Sequence, residues 1–309
     1  MVKNNSKAEF VSIVGSSRSG TTLMRRILNK STQIAISYEN HFLGHIIKSE
    51  GAIFKFRKFG DLSKDQNVVN LTNYIYSGEF ERDSKYRGIS PHWKWIIQNV
   101  NKDAFVNRIL NSDRSERALF IIIMQVYADF YGKSIIGEKT PIHIRYVSKL
   151  LNWFPNGKII HMLRDPRAVY VSELRRRTNM PVSAPYKQLR HLSLVFKLFI
   201  LLQTTFLWHE SYKKSIKYKK KYKKNYLILR FEDLVKNPER SIRKVCEFIG
   251  IKFEENMMEQ SVISKGFLKG QSGFDKKASN RWETQIEPSA NKWFLLFFYR
   301  PLKKLGYLN

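Results

Sequence analysis

Two groups of cationic and hydroxyl side chains stand out by type and spacing. The first is "SSRSGTT", residues 16–22, where Arg18 lies among Ser16, Ser17, Ser19, Thr21 and Thr22, with Gly15 just before the run and Gly20 inside it. Glycines at those two points let the backbone turn sharply and present several N–H groups, and the arginine adds a cation. That is chemistry for holding a phosphate-like anion. The second is "RDPRAVYVSELRRR", residues 164–177, where Ser172 follows Arg164 by eight positions and Arg176 follows it by twelve. A guanidinium fork suits a phosphate, and these three side chains could converge on one anion. Each group also has a plainer reading: a glycine-rich turn in the first case, a solvated basic helix face in the second.

Such groups need strands to deliver them and helices to carry the hydroxyls. Phe10, Val11, Ile13 and Val14 form a short apolar run that predicts a buried strand ahead of the first loop. Leu23, Met24, Ile27 and Leu28 then recur at helical spacing. Thr21 and Thr22 therefore fall at or near a helix N-terminus, where unpaired N–H groups and the helix dipole favour an anion. The pattern G-x-x-x-x-G-T-T has P-loop geometry, but Thr21 stands where a nucleotide kinase would carry its lysine. "KIIHML", residues 158–163, predicts a second strand ending at Arg164; Asp165 and Pro166 turn the chain, and Val169, Val171 and Leu174 mark a following helix. Further strands are predicted before Gly137 and over Tyr226–Phe231. Helical patterns separate them all, which predicts an α/β fold with a parallel central sheet flanked by helices. Asn237 as a cap, Pro238 in the first turn and Gly250 as a stop delimit one of those helices.

Two anion sites on successive parallel strands imply a ligand with two separated phosphate-like groups. Together, "SSRSGTTLMRRIL", "RDPRAVYVSELRRR", "LILRFEDLVKNPERSIRKVCEFIG" and, more loosely, "KKASNRWETQIEP" resemble the sulfotransferases that use 3′-phosphoadenosine 5′-phosphosulfate (PAPS). The resemblance reaches both ends of the chain and leaves residues 45–130 unmatched. It implies a P-loop-like sulfotransferase fold, as a single domain over residues 1–309 with a mostly helical insert around 45–130. It implies that Arg18, Ser19, Gly20, Thr21 and Thr22 hold the 5′-phosphosulfate, with no lysine–Mg²⁺ pair and no metal. It further implies that Arg164, Ser172 and Arg176 hold the 3′-phosphate, and that Ser279 in "KKASNRW" contributes to the cofactor loop.

The resemblance also implies catalytic roles. In relatives acting on protein tyrosine, and in several acting on carbohydrate, a glutamate shortly after the first helix takes the acceptor proton. "ISYENHF" offers Glu39, twenty-one residues beyond Arg18. Tyrosine-directed members have two adjacent glutamates there, whereas this chain has Tyr38 before Glu39, so the acceptor class stays open. His41 is the rival base, because cytosolic small-molecule members use a histidine, although theirs lies much later. A surface carboxylate is the plain alternative for Glu39. "GEKTP", residues 137–141, resembles a segment that sets a lysine near the bridging oxygen of the leaving group. Lys139 is then a charge stabiliser alongside Arg18, or else an exposed lysine paired with Glu138. Phe231 stands where relatives often have a tyrosine near the adenine; stacking and core packing both fit it.

Composition bounds the rest. At 309 residues and 43% hydrophobic, the chain fits one large α/β domain, or a domain with an inserted helical part. Its one cysteine, Cys246, excludes an internal disulfide, suits a reducing compartment, and lies on an apolar helical stripe that reads as core. The polar start "MVKNNSKAEF" offers neither signal sequence nor anchor, and Golgi relatives usually carry one, so a cytoplasmic, bacterial protein is expected.

Lys and Arg number 55 against 26 Asp and Glu, a net charge of +29. A multiply anionic cofactor needs only part of that, and the surplus implies attraction to polyanions. The densest run, residues 213–226, reads first as a solvated helix end. The apolar window before it, residues 191–212, is broken by Lys197 and Gln203 and falls short of the ~20 apolar residues of a bilayer span. It predicts a buried helix, with a peripheral anionic-membrane contact through residues 191–226 as the alternative. The expected partner is a hydroxyl-bearing acceptor: glycan, lipid, peptide or metabolite. No specific nucleic acid is expected, since no recognised motif is present. Two other functions compete. A P-loop small-molecule kinase lacks the loop lysine and a clear magnesium-holding aspartate here, and a non-catalytic binder of anionic surfaces or nucleic acid is supported by charge alone.

Overall fold

The computed structural model of the chain describes residues 8–44, 51–82, 90–179, 193–259 and 273–308. Five strands form one parallel sheet: β1 (Phe10–Gly15), β2 (Ile34–Ser37), β3 (Ile135–Lys139), β4 (Lys158–Leu163) and β5 (Tyr226–Arg230), in the order β2-β3-β1-β4-β5. The α/β fold expected from the alternating strand and helix patterns is the fold observed. β1 sits at the centre, paired with β3 from Phe10↔Ile136 to Ile13↔Lys139 and with β4 from Val11↔Lys158 to Gly15↔Met162. Strand order reverses around β1, and open α/β sheets bind ligands outside the carboxyl ends at such a point.

Every residue of β1 is buried, as a strand covered on both faces requires. Its alternate side chains enter two different cores. Phe10 and Val14 join Phe42, Phe56, Trp93 and Phe120 on the side covered by helices from residues 52–130. Val11 and Ile13 join Met24, Ile27, Ile160, Met162 and Val245 on the other side. Cys246 lies in that second core, with its sulfur 3.7 Å from the Met257 sulfur. Between residues 51 and 130 the described chain contains helices and no strand.

The helix Pro238–Ile249 carries Pro238 in its first turn and ends at Gly250, whose φ of 75° is a left-handed conformation. Asn237 does not cap it through its side chain. The preceding helix, Phe231–Lys236, ends directly at Asn237, whose N–H donates to the Asp233 carbonyl while its own carbonyl accepts from Ser241 N–H. One residue closes one helix and opens the next through its backbone, and φ −129°, ψ 68° leave the side chain out of the bonding.

Residues 193–221 form one long helix. The burial expected for its apolar first half applies to one face alone: Phe196, Ile200 and Trp208 pack with Phe294 and Phe298 of the helix Pro288–Lys304, whereas Leu194, Leu198, Leu202 and Phe206 face solvent. Positions 191 and 192 of the predicted membrane-contact stretch lie outside the described residues. Among the described residues no helix is long and apolar enough to cross a membrane.

Candidate active site

All five strands end at one edge, and each delivers a group there. β1 ends at Gly15 and runs through the loop into the helix Thr21–Asn29. Gly15 and Gly20 have φ of +149° and +93°. A Cβ would lie 2.5 Å from the Met162 carbonyl oxygen at Gly15 and 2.5 Å from the Phe231 ring at Gly20, so sterics as well as φ demand glycine. Arg18 adopts φ +66° without being glycine, a conformation that costs about 1–2 kcal/mol. The Ser19 hydroxyl donates to the Ser16 carbonyl at 2.6 Å, and the buried Ser16 Oγ has no partner. Thr21, buried, and Thr22, exposed, open the helix, where the first amides have no intrahelical acceptor.

β4 delivers Arg164 beside this loop. Its Nη1 donates to the Arg18 carbonyl at 3.0 Å and its Nη2 to the Ala278 carbonyl at 2.7 Å, while its buried Nε has no partner. Arg18 Nε donates to Ser172 Oγ at 3.0 Å. Among the described residues, neither guanidinium has a carboxylate in ion-pair range. Burial pulls both below the usual arginine value, Arg164 to about 10, with more distant Glu232 and Glu173 opposing. Both still carry their charge at neutral pH, so a pair of cations faces loop amides and hydroxyls without a counter-anion.

Arg176 is oriented differently. It forms a two-pronged ion pair with Glu173 (2.6 and 3.0 Å), which also receives Arg177 at 2.6 Å. Ser279 is buried next to Ala278, with its hydroxyl donating to the Lys276 carbonyl at 2.8 Å. β5 delivers Phe231, whose ring covers Gly20 and carries the Arg164 guanidinium at 4.2 Å from its centroid.

β2 and β3 are neighbours in register Ser37↔Glu138, so Glu39 and Lys139 emerge side by side at the same edge. They form an ion pair, and His41 Nε2 lies 3.4 Å from the other Glu39 oxygen. Burial pushes the Glu39 carboxyl upward, but the His41 hydrogen bond and the Lys139 charge outweigh it and hold the group at about 2. Lys139 is buried and paired with Glu39, and Glu138 points to the opposite face as strand alternation requires. There Glu138 accepts from Ser12 and lies 3.2 Å from His143 Nδ1.

Several residues at the site carry no motif. Arg25 is buried, with Nε donating to the Ile36 and Ser37 carbonyls at 3.0 Å and its guanidinium 3.7 Å above the Tyr38 ring. Trp93 Nε1 donates to the Asn40 carbonyl at 2.8 Å. Together they fix the chain on both sides of Glu39. "TTLMRRIL" gives no sign that Arg25 turns inward and Arg26 less so. A cavity of about 70 Å³ joins the loop at Ser16 to Glu39, His41, Ile142, Leu207 and Ser211. Behind Ser211 lies His161, with Nε2 2.8 Å from Ser211 Oγ and Nδ1 2.7 Å from Tyr226 Oη. Burial depresses this imidazole to about 3, so it is neutral. The buried phenol finds its acceptor at Nδ1; Nε2–H then donates to Ser211 Oγ, which frees the serine proton for the cavity. A histidine inside the apolar run "KIIHML" was the sequence signal for this triad.

Residues 11–255 match the family model described as the sulfotransferase family. The omega-hydroxy-beta-dihydromenaquinone-9 sulfotransferase of Mycobacterium bovis is 28% identical over 148 residues, 44% of this chain and 33% of that protein. Carbohydrate sulfotransferase 2 of Mus musculus is 31% identical over 90 residues, 27% of this chain and 17% of that protein. The chain thus matches a third or less of the length of these curated relatives. Two solved structures share the fold. The sulfotransferase domain from the Synechococcus PCC 7002 olefin synthase has TM-score 0.55 and 17% identity, covering 93% of this chain and 92% of that one. The sulfotransferase domain from the curacin biosynthetic pathway has TM-score 0.56 and 15% identity, covering 95% and 98%.

Proposed function

The chain belongs to the sulfotransferase family, and from that premise we propose that it moves a sulfuryl group from PAPS to the hydroxyl of an acceptor. The observation that carries this reading is the pair of half-buried guanidinium groups, Arg18 and Arg164, joined through Ser172 and the loop backbone with no carboxylate among the described residues in ion-pair range. A buried cation without a counter-charge is costly, and a dianionic ligand relieves that cost. The orphaned Ser16 hydroxyl and Arg164 Nε are further donors awaiting an acceptor.

In this reading Arg18, Ser19, Gly20, Thr21 and Thr22 hold the 5′-phosphosulfate. Arg164, Ser172 and Arg176 hold the 3′-phosphate, Arg176 turning from Glu173 to do so, and Ser279 contributes from the adjoining segment. The donor supplies an activated sulfuryl group, whose in-line transfer depends on positioning and charge stabilisation, as phosphoryl transfer does. Glu39, ionised in the resting state, takes the acceptor proton. Lys139 neutralises the negative charge that develops on the leaving oxygen, and Arg18 does the same from the loop. Moving Lys139 toward that charge also weakens its pull on Glu39, so the basicity of the carboxylate rises as the proton must be taken.

The named relatives act on a hydroxylated menaquinone and on carbohydrate, which supports an alcohol as nucleophile. Residues 1–309 act as one domain in this reading, with the helices of 45–130 shaping the acceptor side. The protein works without a metal in a bacterial cytoplasm, in peripheral contact with an anionic membrane. The test is calorimetric titration with adenosine 3′,5′-bisphosphate in EDTA, together with transfer of labelled sulfate from PAPS to phenol and alcohol acceptors. Metal-independent binding and transfer are expected. Magnesium-dependent consumption of ATP with no bisphosphate affinity would return the kinase reading and overturn this one.

A further inference from the structure

The helix Ser193–Lys221 presents one continuous exposed face, through Leu194, Leu198, Leu202, Phe206, His209, Lys213, Lys217 and Lys220. Its first half is apolar and its second half basic. Leu194 is 78% exposed and Phe206 66%, values that a core-packing helix would not leave in four-residue register.

A second helix, Pro288–Lys304, also leaves Leu296, Phe297 and Tyr299 exposed; it kinks at Phe298, and the exposed Arg300, Lys303 and Lys304 lie beyond the bend. Contacts between the two helices advance in step. Lys197 pairs with Glu287, Trp293 Nε1 donates to Thr205 Oγ1 at 3.0 Å, and Trp208 packs on Phe298 at 4.8 Å. As far as Phe298 the helices therefore lie side by side and run the same way. Trp293, at their seam, packs against the exposed Phe297 with tilted rings 4.5 Å apart. The exposed apolar residues around Phe297 therefore adjoin the apolar half of the long helix, whose lysines continue the same exposed face.

We propose that this two-helix face docks the protein on the surface of an anionic lipid bilayer. Apolar tips on two adjacent helices suit the headgroup–acyl boundary, and the lysines that follow on the long helix suit acidic headgroups. A net charge of +29 gives the field that draws the chain there. Leu207 and Ser211, on the same long helix, line the catalytic cavity, so docking and acceptor pocket share one rigid element. The inference deepens the peripheral contact in the proposed function, and its test does not depend on sulfuryl transfer.

Co-flotation at physiological salt would use neutral phosphatidylcholine vesicles and vesicles containing a quarter phosphatidylglycerol. Two variants separate the contributions: Leu198→Ser with Phe206→Ser and Phe297→Ser, and Lys213→Glu with Lys217→Glu and Lys220→Glu. All these side chains are exposed, and adenosine 3′,5′-bisphosphate affinity checks each fold. Wild-type binding should be at least about tenfold stronger to the anionic vesicles, and each variant should lose about tenfold or more. Equal wild-type binding to both vesicles, or undiminished binding by the apolar variant, overturns the docking face. Retained bisphosphate binding in that event leaves the catalytic reading standing, whereas lost bisphosphate binding in wild type with intact flotation does the reverse.

Discussion

Lys139→Met removes the ammonium group facing Glu39 and keeps most of the stem in the buried end of β3. In the native site Glu39 is held at about 2, against an ordinary 4.5 for a glutamate. At about 1.36 kcal/mol per pH unit, that depression corresponds to roughly 3 kcal/mol favouring the ionised form. Glu39 is 32% exposed, so solvent screening reduces the attainable figure to about 1–2 kcal/mol. Burial, which pushes the other way, persists after the substitution, and His41 alone remains to oppose it. The Glu39 midpoint should rise by about one to two pH units or more.

A carboxyl depressed in the folded state stabilises the fold above its unfolded midpoint near 4.5, and that contribution is lost as pH falls toward 2. The variant should lose most of this increment at neutral pH and show a weaker acid-side decline across that window. The assay is a carboxyl ¹³C titration by NMR, with the Glu39 resonance assigned by its disappearance in Glu39→Gln. A midpoint still at about 2 in Lys139→Met would refute the idea that the leaving-group cation and the base are electrostatically coupled.

Glu39→Gln should lower turnover about 10²-fold or more while bisphosphate affinity changes little, and His41→Ala should do less harm; near-normal turnover in Glu39→Gln moves the base elsewhere. Arg164→Ala should weaken adenosine 3′,5′-bisphosphate far more than adenosine 5′-phosphosulfate by calorimetry, and equal losses would remove Arg164 from the 3′-phosphate. Ser211→Ala takes away the hydroxyl that His161 orients into the cavity; kcat/KM for the acceptor should fall about tenfold with bisphosphate affinity intact, and an unchanged kcat/KM would make the triad purely structural.

The strands that carry the loop and Arg164 were legible because each is a short apolar run stopped by residues that cannot continue it, Gly15 in one case and Asp165-Pro166 in the other. The Glu39–Lys139 pair was not legible as a pair. It depends on β2 and β3 being neighbours, and nothing in either segment states which strand the other lies beside. Phe231 could be read as stacking or packing because one aromatic ring serves both; here it covers Gly20 and supports Arg164. The exposed face of the long helix was legible only as the alternative to a buried helix, because leucine and phenylalanine read as core wherever they recur. Composition carries no information about which neighbours are present. Ser211 and Arg25 matter through what they touch, and neither stands in a pattern that marks it.

The central position of β1 has a consequence for how the chain is made. Of the five strands β1 is synthesised first, yet its two sheet partners, β3 and β4, end at Lys139 and Leu163. At about 5–20 residues per second, synthesis takes roughly seven to thirty seconds to travel from Gly15 to Leu163. Until β3 is complete, a six-residue strand that the finished protein buries entirely has both hydrogen-bonding edges unpaired, and from Lys139 to Leu163 it still has one. The nascent chain is therefore exposed to aggregation until β4 emerges, and a chaperone that shields the first strand should raise yield more than one acting after release. Slower translation through residues 140–163 should increase the insoluble fraction, because it prolongs the stage at which one edge of β1 has its partner and the other does not.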